Sequence, residues 1–275
     1  MIIDFHSHNF PDSIASSAIS AMSKKTSGVL WPVGDGTTQN HISHMKLAGV
    51  DKAVLCQIAT KPSQWEVIYK RSVDIISGAC GEDARNKIIP FASIHPLDDK
   101  FDEHLQLIAD SGIKGVKFHP YYQNFSLADE TYWPMFKKIA DLGLIVQCHT
   151  GGDVCWSEIE GYCSPREIVK LVKNIRSLRF VAAHLGGCYR QQSHATDQVL
   201  ECGVYVDTSV LAFTWHKDEE MRILRSWPKD RILFGSDFPW VHYPEAISHV
   251  KSVREKDDWE NLFALNAMRL LGGGE

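Results

Sequence analysis

A chain of 275 residues is long for an average globular domain but ordinary for a single α/β barrel. Its composition, 44% hydrophobic and 23% charged, allows a sizeable core and excludes a disordered profile. With a formal net charge of −5 and no run of lysine or arginine beyond two residues, it offers no basic field to a phosphate backbone, so no nucleic-acid partner is expected.

The first apolar run, Ile2 to His6, is followed by a stretch from Asn9 to Thr38 that reads as a long loop able to form part of a lid. A helix is predicted over Asn40 to Ala48, then a strand over Lys52 to Ile58 and a helix over Gln64 to Ala79. The alternation continues with strands at Ile88 to Ser93, Ile113 to His119 and Leu144 to His149, separated by helices at Phe101 to Asp110 and Tyr132 to Asp141. A helix at Arg166 to Asn174 begins at Ser164-Pro165 with Glu167 in capping-box position. It leads to a strand at Phe180 to His184, a helix at Thr196 to Glu201, a strand at Val204 to Asp207, a helix at Glu219 to Ser226 and a last strand at Ile232 to Asp237. Helices at Tyr243 to Arg254 and Asp258 to Leu271 close the chain.

Eight strands alternating with helices fit either an open doubly wound sheet or a closed barrel. The open sheet usually places a glycine-rich turn after its first strand, whereas here the turn reads His-Ser-His-Asn-Phe-Pro. A single (β/α)8 TIM barrel spanning residues 1–275 explains more, because it brings the polar residues ending the runs to one mouth. No apolar stretch approaches the roughly 20 residues that span a bilayer, and no basic-then-apolar leader precedes the first strand. A cytoplasmic chain beginning at Met1 and without a membrane partner is therefore expected. The seven cysteines, odd in number and scattered, read as reduced thiols. Cys148, Cys155 and Cys163 match no familiar thiolate metal spacing, and Cys148 should point away from His149.

His6 and His8 end the first run with one residue between them, so pleating directs both imidazoles to one face. Alone, such a pair is weak. The fifth run ends in His149, the sixth in His184 and the eighth in Asp237, and so many polar groups converging on one mouth would be costly to desolvate without a cation or specific partners. Lys117 and His119 end the fourth run on a shared face. Trp31, Trp156, Trp215 and Trp240 fall on loops where a barrel builds its substrate pocket, each able instead to cover core. Arg190 is a candidate carboxylate clamp or an ordinary surface residue.

In the order Asp4-Phe5-His6-Ser7-His8, Gly115-Val116-Lys117-Phe118-His119-Pro120, His149, Ala183-His184-Leu185-Gly186-Gly187 and Gly235-Ser236-Asp237-Phe238-Pro239, the chain resembles the amidohydrolase superfamily. The nearer resemblance is to its amidohydrolase-related branch, which includes aminocarboxymuconate-semialdehyde decarboxylase. It implies one divalent metal ion, zinc first, held by His6, His8, His149 and Asp237, with His184 beside it in a catalytic role. It also admits a homodimer. A Lewis-acidic metal lowers the pKa of its water, and Asp237 can accept that proton and return it to a leaving group while His184 orients the electrophile.

The expected function is a metal-dependent hydrolase of a small-molecule amide, lactone or ester, with His119, Lys117, Trp156 and Arg190 as substrate-binding candidates. The same ligand set in this branch also serves non-oxidative decarboxylation of small aromatic or unsaturated carboxylic acids. A non-catalytic metal-storing barrel ranks below both, since storage has little need of His184 and a lined pocket. Lys117 has two readings, pairing with a carboxylate or anionic substrate, or bridging a second metal as a carbamate. His119 contacts substrate or orients a neighbour, and Asp207 reads as a structural carboxylate bonding local backbone.

Overall fold

The computed structural model describes residues 1–26, 29–155, 161–187, 193–209 and 217–272. Eight short strands appear among them: β1 (Ile3–Ser7), β2 (Lys52–Cys56), β3 (Ile88–Phe91), β4 (Gly115–Phe118), β5 (Ile145–Cys148), β6 (Arg179–Ala182), β7 (Tyr205–Asp207) and β8 (Ile232–Leu233). They pair in parallel in the orders β1-β2-β3 and β4-β5-β6-β7-β8. Backbone bonds join the two sheets on both sides. Ala92 donates to Gly115 O at 3.0 Å and Lys117 to Ala92 O at 2.8 Å, linking the end of β3 to β4. Phe5 donates to Phe234 O at 2.7 Å and Asp237 to His6 O at 2.8 Å, linking β1 to the segment after β8. The ring of strands is closed, with its carboxyl ends at one mouth: a TIM barrel.

Alternation along the strands builds two cores. Val54, Cys56, Ile145, Val181 and Leu233 point into the barrel with Ile3, Phe5 and Phe91. Their neighbours Ala53, Leu55, Val146, Cys148, Phe180 and Ala182 pack with the surrounding helices. Cys148 thus faces away from the barrel interior, as its place beside His149 requires. Phe5 meets Phe91 edge to face with centroids 5.8 Å apart, and both rings are fully buried. Truncating Phe5 to alanine removes that contact and opens a void in the barrel floor, so urea denaturation should show a loss of about 3–5 kcal/mol.

The helices match their predicted positions, with caps moving the ends. Thr37 accepts a hydrogen bond from the Asn40 N–H, so the helix expected from Asn40, α2, starts at Thr38 and runs to Ala48. The Ser164 N–H donates to Glu167 at 2.8 Å, closing the predicted capping box. One expectation needs correction and another gains a detail. The stretch from Asn9 to Thr38 is not one loop: it contains helix α1 (Asp12–Lys25), begun by Pro11 and Asp12 and ended by Lys24 and Lys25. The segment expected as one helix from Asp258 to Leu271 is helical throughout 259–272, with a π-helical turn at Asn261–Leu265 inside it before the α-helical stretch Asn266–Gly272. No helix among the described residues is long and apolar enough to cross a membrane.

Candidate metal centre and active-site cavity

The mouth of the barrel opens into a cavity of about 830 Å³ lined by His6, His8, Lys117, His119, His149, His184 and Asp237. Regular pleating would send Phe5 and His6 to opposite faces, yet Phe5 packs in the barrel core while His6 reaches the cavity. A register irregularity between Asp4 and Ser7 reconciles the two, since a bulge re-aims the residues that follow it.

The Nδ1 atom of His6 lies 2.9 Å from Asp207 Oδ2, and that of His8 lies 2.7 Å from Cys56 O. Each acceptor places the proton on Nδ1 and leaves the Nε2 lone pair facing the cavity. The two Nε2 atoms lie 3.5 and 3.1 Å from Asp237 Oδ1. At such separations, acceptor atoms need a donated proton or a cation among them: the Lys117 amine lies 3.0 Å from His6 Nε2, and a metal ion could serve all three. Two imidazoles and a carboxylate suit zinc or a similar divalent ion, so this donor set fits the metal implied by the sequence.

His149 belongs to a different group. Its ring stacks on His119 with centroids 4.0 Å apart, and its Nδ1 lies 2.9 Å from His184 Nε2. With Asp153, which lies 3.4 Å from His119 Nε2, these two histidines form a second cluster of metal-ligating side chains. Of the four expected ligands, three are therefore brought together, and His149 joins them through His184. Gly151 explains this placement: at φ +80° its Cα faces Gly187 so closely that a Cβ would fall 2.6 Å from the Gly187 Cα, so only glycine lets these loops meet.

Asp207 does more than bond local backbone. It accepts from the N–H groups of His184 at 3.1 Å and Ser209 at 3.0 Å, as expected, and also from His6 and the Gln147 amide. Burial opposes its charge, but the bonds and charges around it prevail and hold the carboxyl well below its usual range. Asp237 is held low in the same way, burial being outweighed by His8, His6 and His184. Both His184 (φ 57°) and Asp237 (φ 62°) occupy the left-handed region, strain of the kind that collects at functional sites.

Lys117 is buried, and its Nζ lies 3.0 Å from His6 Nε2, so among the described residues its partner is an imidazole and not a carboxylate. His119 Nδ1 is buried without a hydrogen-bond partner among the described residues. Trp240 is buried and lines the cavity, whereas Trp31 is 70% exposed. Trp156, Trp215 and Arg190 lie outside the described residues. Asp153, Gln147 and Ser209 carry no sequence signal of their own beyond the acid four residues after His149.

Several of these imidazoles are neutral because they are buried, with consequences for acid stability. Burial, helped by Lys117, pushes His6 down to about 4, and burial pushes His41 down to about 3. Each stabilises the fold fully above pH 6.5, and that contribution is lost as the pH falls, since unfolding then takes up a proton. From pH 6.5 to 5 the loss is about 2 kcal/mol per histidine. Asp4, pushed up to about 7 by burial, acts in reverse: its contribution is present at low pH and lost as the pH rises through 7. One such carboxyl does not offset two histidines, and His119, His149 and His184 shift in the same direction as these two. Metal-free protein should therefore be about 2 kcal/mol or more less stable to urea at pH 5 than at pH 6.5. A flat or rising stability on acidification would contradict the neutral assignments.

Residues 73–273 match the family model described as amidohydrolase. Comparison with curated proteins finds no match. Among solved structures, the chain is similar to an uncharacterised TIM-barrel protein from Bordetella bronchiseptica, at 18% identity and a TM-score of 0.78, over 99% of this chain and 98% of that one. It is similar to a probable 2-pyrone-4,6-dicarboxylic acid hydrolase from Acinetobacter baumannii with citric acid bound, at 17% identity and 0.69, over 98% and 99%. A third similar structure is a 5-carboxyvanillate decarboxylase from Novosphingobium aromaticivorans complexed with manganese and 4-hydroxy-3-methoxy-5-nitrobenzoic acid, at 15% identity and 0.68, over 99% and 96%.

Proposed function

Because the chain belongs to the amidohydrolase family, we propose that it is a metal-dependent hydrolase acting on a small amide, lactone or ester. The observation that carries this reading is the convergence of His6 Nε2, His8 Nε2 and Asp237 Oδ1 at the base of the cavity, with both Nδ1 atoms engaged elsewhere. His6, His8 and Asp237 would hold the metal, zinc first, with His149 as fourth ligand once its bond to His184 is released. A divalent ion there supplies Lewis acidity and makes water a nucleophile at neutral pH.

The remaining work falls to side chains of this chain. Asp237, held ionised, takes the proton of the attacking water and returns it to the leaving group. His184, fixed by its N–H bond to Asp207 and by Ser209 Oγ at 2.8 Å from its Nδ1, orients the carbonyl. His119 and Lys117 position the polar groups of the substrate.

A second reading is non-oxidative decarboxylation, favoured by the buried Lys117 amine at the cavity base and by the likeness to 5-carboxyvanillate decarboxylase. There the bond to a substrate carboxylate breaks, carbon dioxide leaves, and the carbon that bore the carboxylate takes a proton. Metal-loaded protein should be incubated with lactones and amides and, separately, with hydroxylated aromatic carboxylic acids. Ring opening or amide cleavage without carbon dioxide supports hydrolysis, and carbon dioxide release overturns it in favour of the second reading. His149→Ala separates the ligand set: loss of bound metal makes His149 a ligand, whereas full occupancy with an activity loss of about 10–100-fold makes it a positioning residue.

A further inference from the structure

The cavity has two unlike sides. The strand ends supply imidazoles and carboxylates, while α1 and a helix after β2, α3 (Trp65–Ser77), supply Ile14, Ala18, Met22, Val67 and Ile68. Ile14 and Val67 remain 48% and 65% exposed, so this side presents open apolar surface.

One charge interrupts it. Arg71 of α3 lines the same cavity, and its guanidinium is gripped by four neutral oxygens: Asn9 O at 3.1 Å, Gln57 Oε1 at 3.3 Å, Thr38 Oγ1 at 3.2 Å and Asn9 Oδ1. No carboxylate pairs with it among the described residues. The contrast is Arg254, a more deeply buried guanidinium that has Asp258 at 2.8 Å. Burial pushes Arg71 down to about 10, which leaves it charged at neutral pH. A largely desolvated cation whose contacting partners among the described residues are all neutral oxygens is complementary to an anion that arrives from outside.

The guanidinium is also preorganised. Asn9 Nδ2 lies 2.9 Å from His41 Nδ1, His41 Nε2 lies 2.7 Å from the Tyr243 hydroxyl, and that hydroxyl donates to Asp4 at 2.8 Å. Asp4 in turn accepts the N–H groups of His6 at 3.0 Å and Ser236 at 2.9 Å. One buried scaffold therefore positions both Arg71 and the strand ends that carry His6 and Asp237.

We propose that Arg71 is the anion subsite of this cavity and that the substrate is a carboxylate with an apolar body. Its reacting group lies at His6, His8 and Asp237, its body lies against α1 and α3, and its carboxylate replaces the longer bonds from Arg71 to Gln57 and Thr38. This substrate class rests on the reading of the cavity as the active site.

Calorimetric titration of 3-phenylpropionate and its neutral isostere 3-phenylpropionamide tests the assignment, on protein with its metal and on chelator-treated protein. The carboxylate should bind about tenfold tighter than the amide in both states. In Arg71→Gln that preference should shrink to about twofold or less while amide affinity holds, which also reports that the cavity is intact. Arg71→Lys keeps the charge but not the fork and should lose about threefold of the preference, deciding the matter if the glutamine variant does not fold. Ala18→Trp, filling the apolar side, should weaken both ligands about tenfold. No carboxylate preference in the wild type, or an unchanged preference in the Arg71 variants, overturns the proposal. A preference that needs metal and ignores Arg71 places the carboxylate at the metal, so the anion subsite falls while the metal centre stands. Protein that takes up no metal yet keeps an Arg71-dependent preference shows the reverse.

Discussion

Asp237→Asn is expected to lower kcat/KM by about 10³-fold, close to 4 kcal/mol of transition-state stabilisation, with the fold intact. Asparagine tolerates the left-handed backbone that Asp237 adopts at φ 62°, so the substitution tests chemistry and not strain. The amide keeps an oxygen that can face His8 Nε2, but it carries no charge to complete the pair of imidazoles and cannot accept a proton near neutral pH. Metal content and steady-state rates, measured on the same preparation, separate the two effects. Full metal occupancy with a rate loss of that size assigns Asp237 as the base, and loss of metal assigns it as a ligand first. Retention of more than about a tenth of the activity would remove Asp237 from both roles.

The barrel was legible because its strands are buried on both faces and end in polar residues, and that pattern survives without knowing any contact. His6, His8 and Asp237 were legible for the same reason, each being the polar end of an apolar run. What escaped depends on details that a one-dimensional pattern does not encode. The bulge between Asp4 and Ser7 shows only as a shift in pairing, yet it lets Phe5 and His6 both point inward. Helix α1 was obscured by its serines, which favour caps and turns as readily as helix interiors. The pairing of His149 with His119 and Asp153 follows from the backbone contact of Gly151 with Gly187, two glycines far apart in the chain. Arg71 carried no signal, because a lone arginine on an amphipathic helix reads as solvated surface until its neighbours are seen.

Asp207 should prove as important as the ligands it does not join. Its carboxylate accepts from His6 Nδ1, from the N–H groups of His184 and Ser209 and from the Gln147 amide, all of them buried. Asp207→Ala strands these donors at once, and with about 1–3 kcal/mol for each unsatisfied group, partly relieved by repacking or water, denaturation should show a loss of about 3–5 kcal/mol. Asp207→Asn asks a finer question. It preserves shape, but its amide N–H can take the place of the oxygen facing His6, and the imidazole would then move its proton from Nδ1 to Nε2, where a lone pair is needed for metal. Metal affinity should fall by about 10–100-fold with a much smaller stability loss than in the alanine variant. Measuring zinc affinity and unfolding free energy for both variants distinguishes an orienting carboxylate from a merely structural one. If Asp207→Asn binds metal as the wild type does, the His6 tautomer is set by something other than Asp207, and Ser209, whose Oγ lies 3.0 Å from His6 Nδ1, becomes the residue to change.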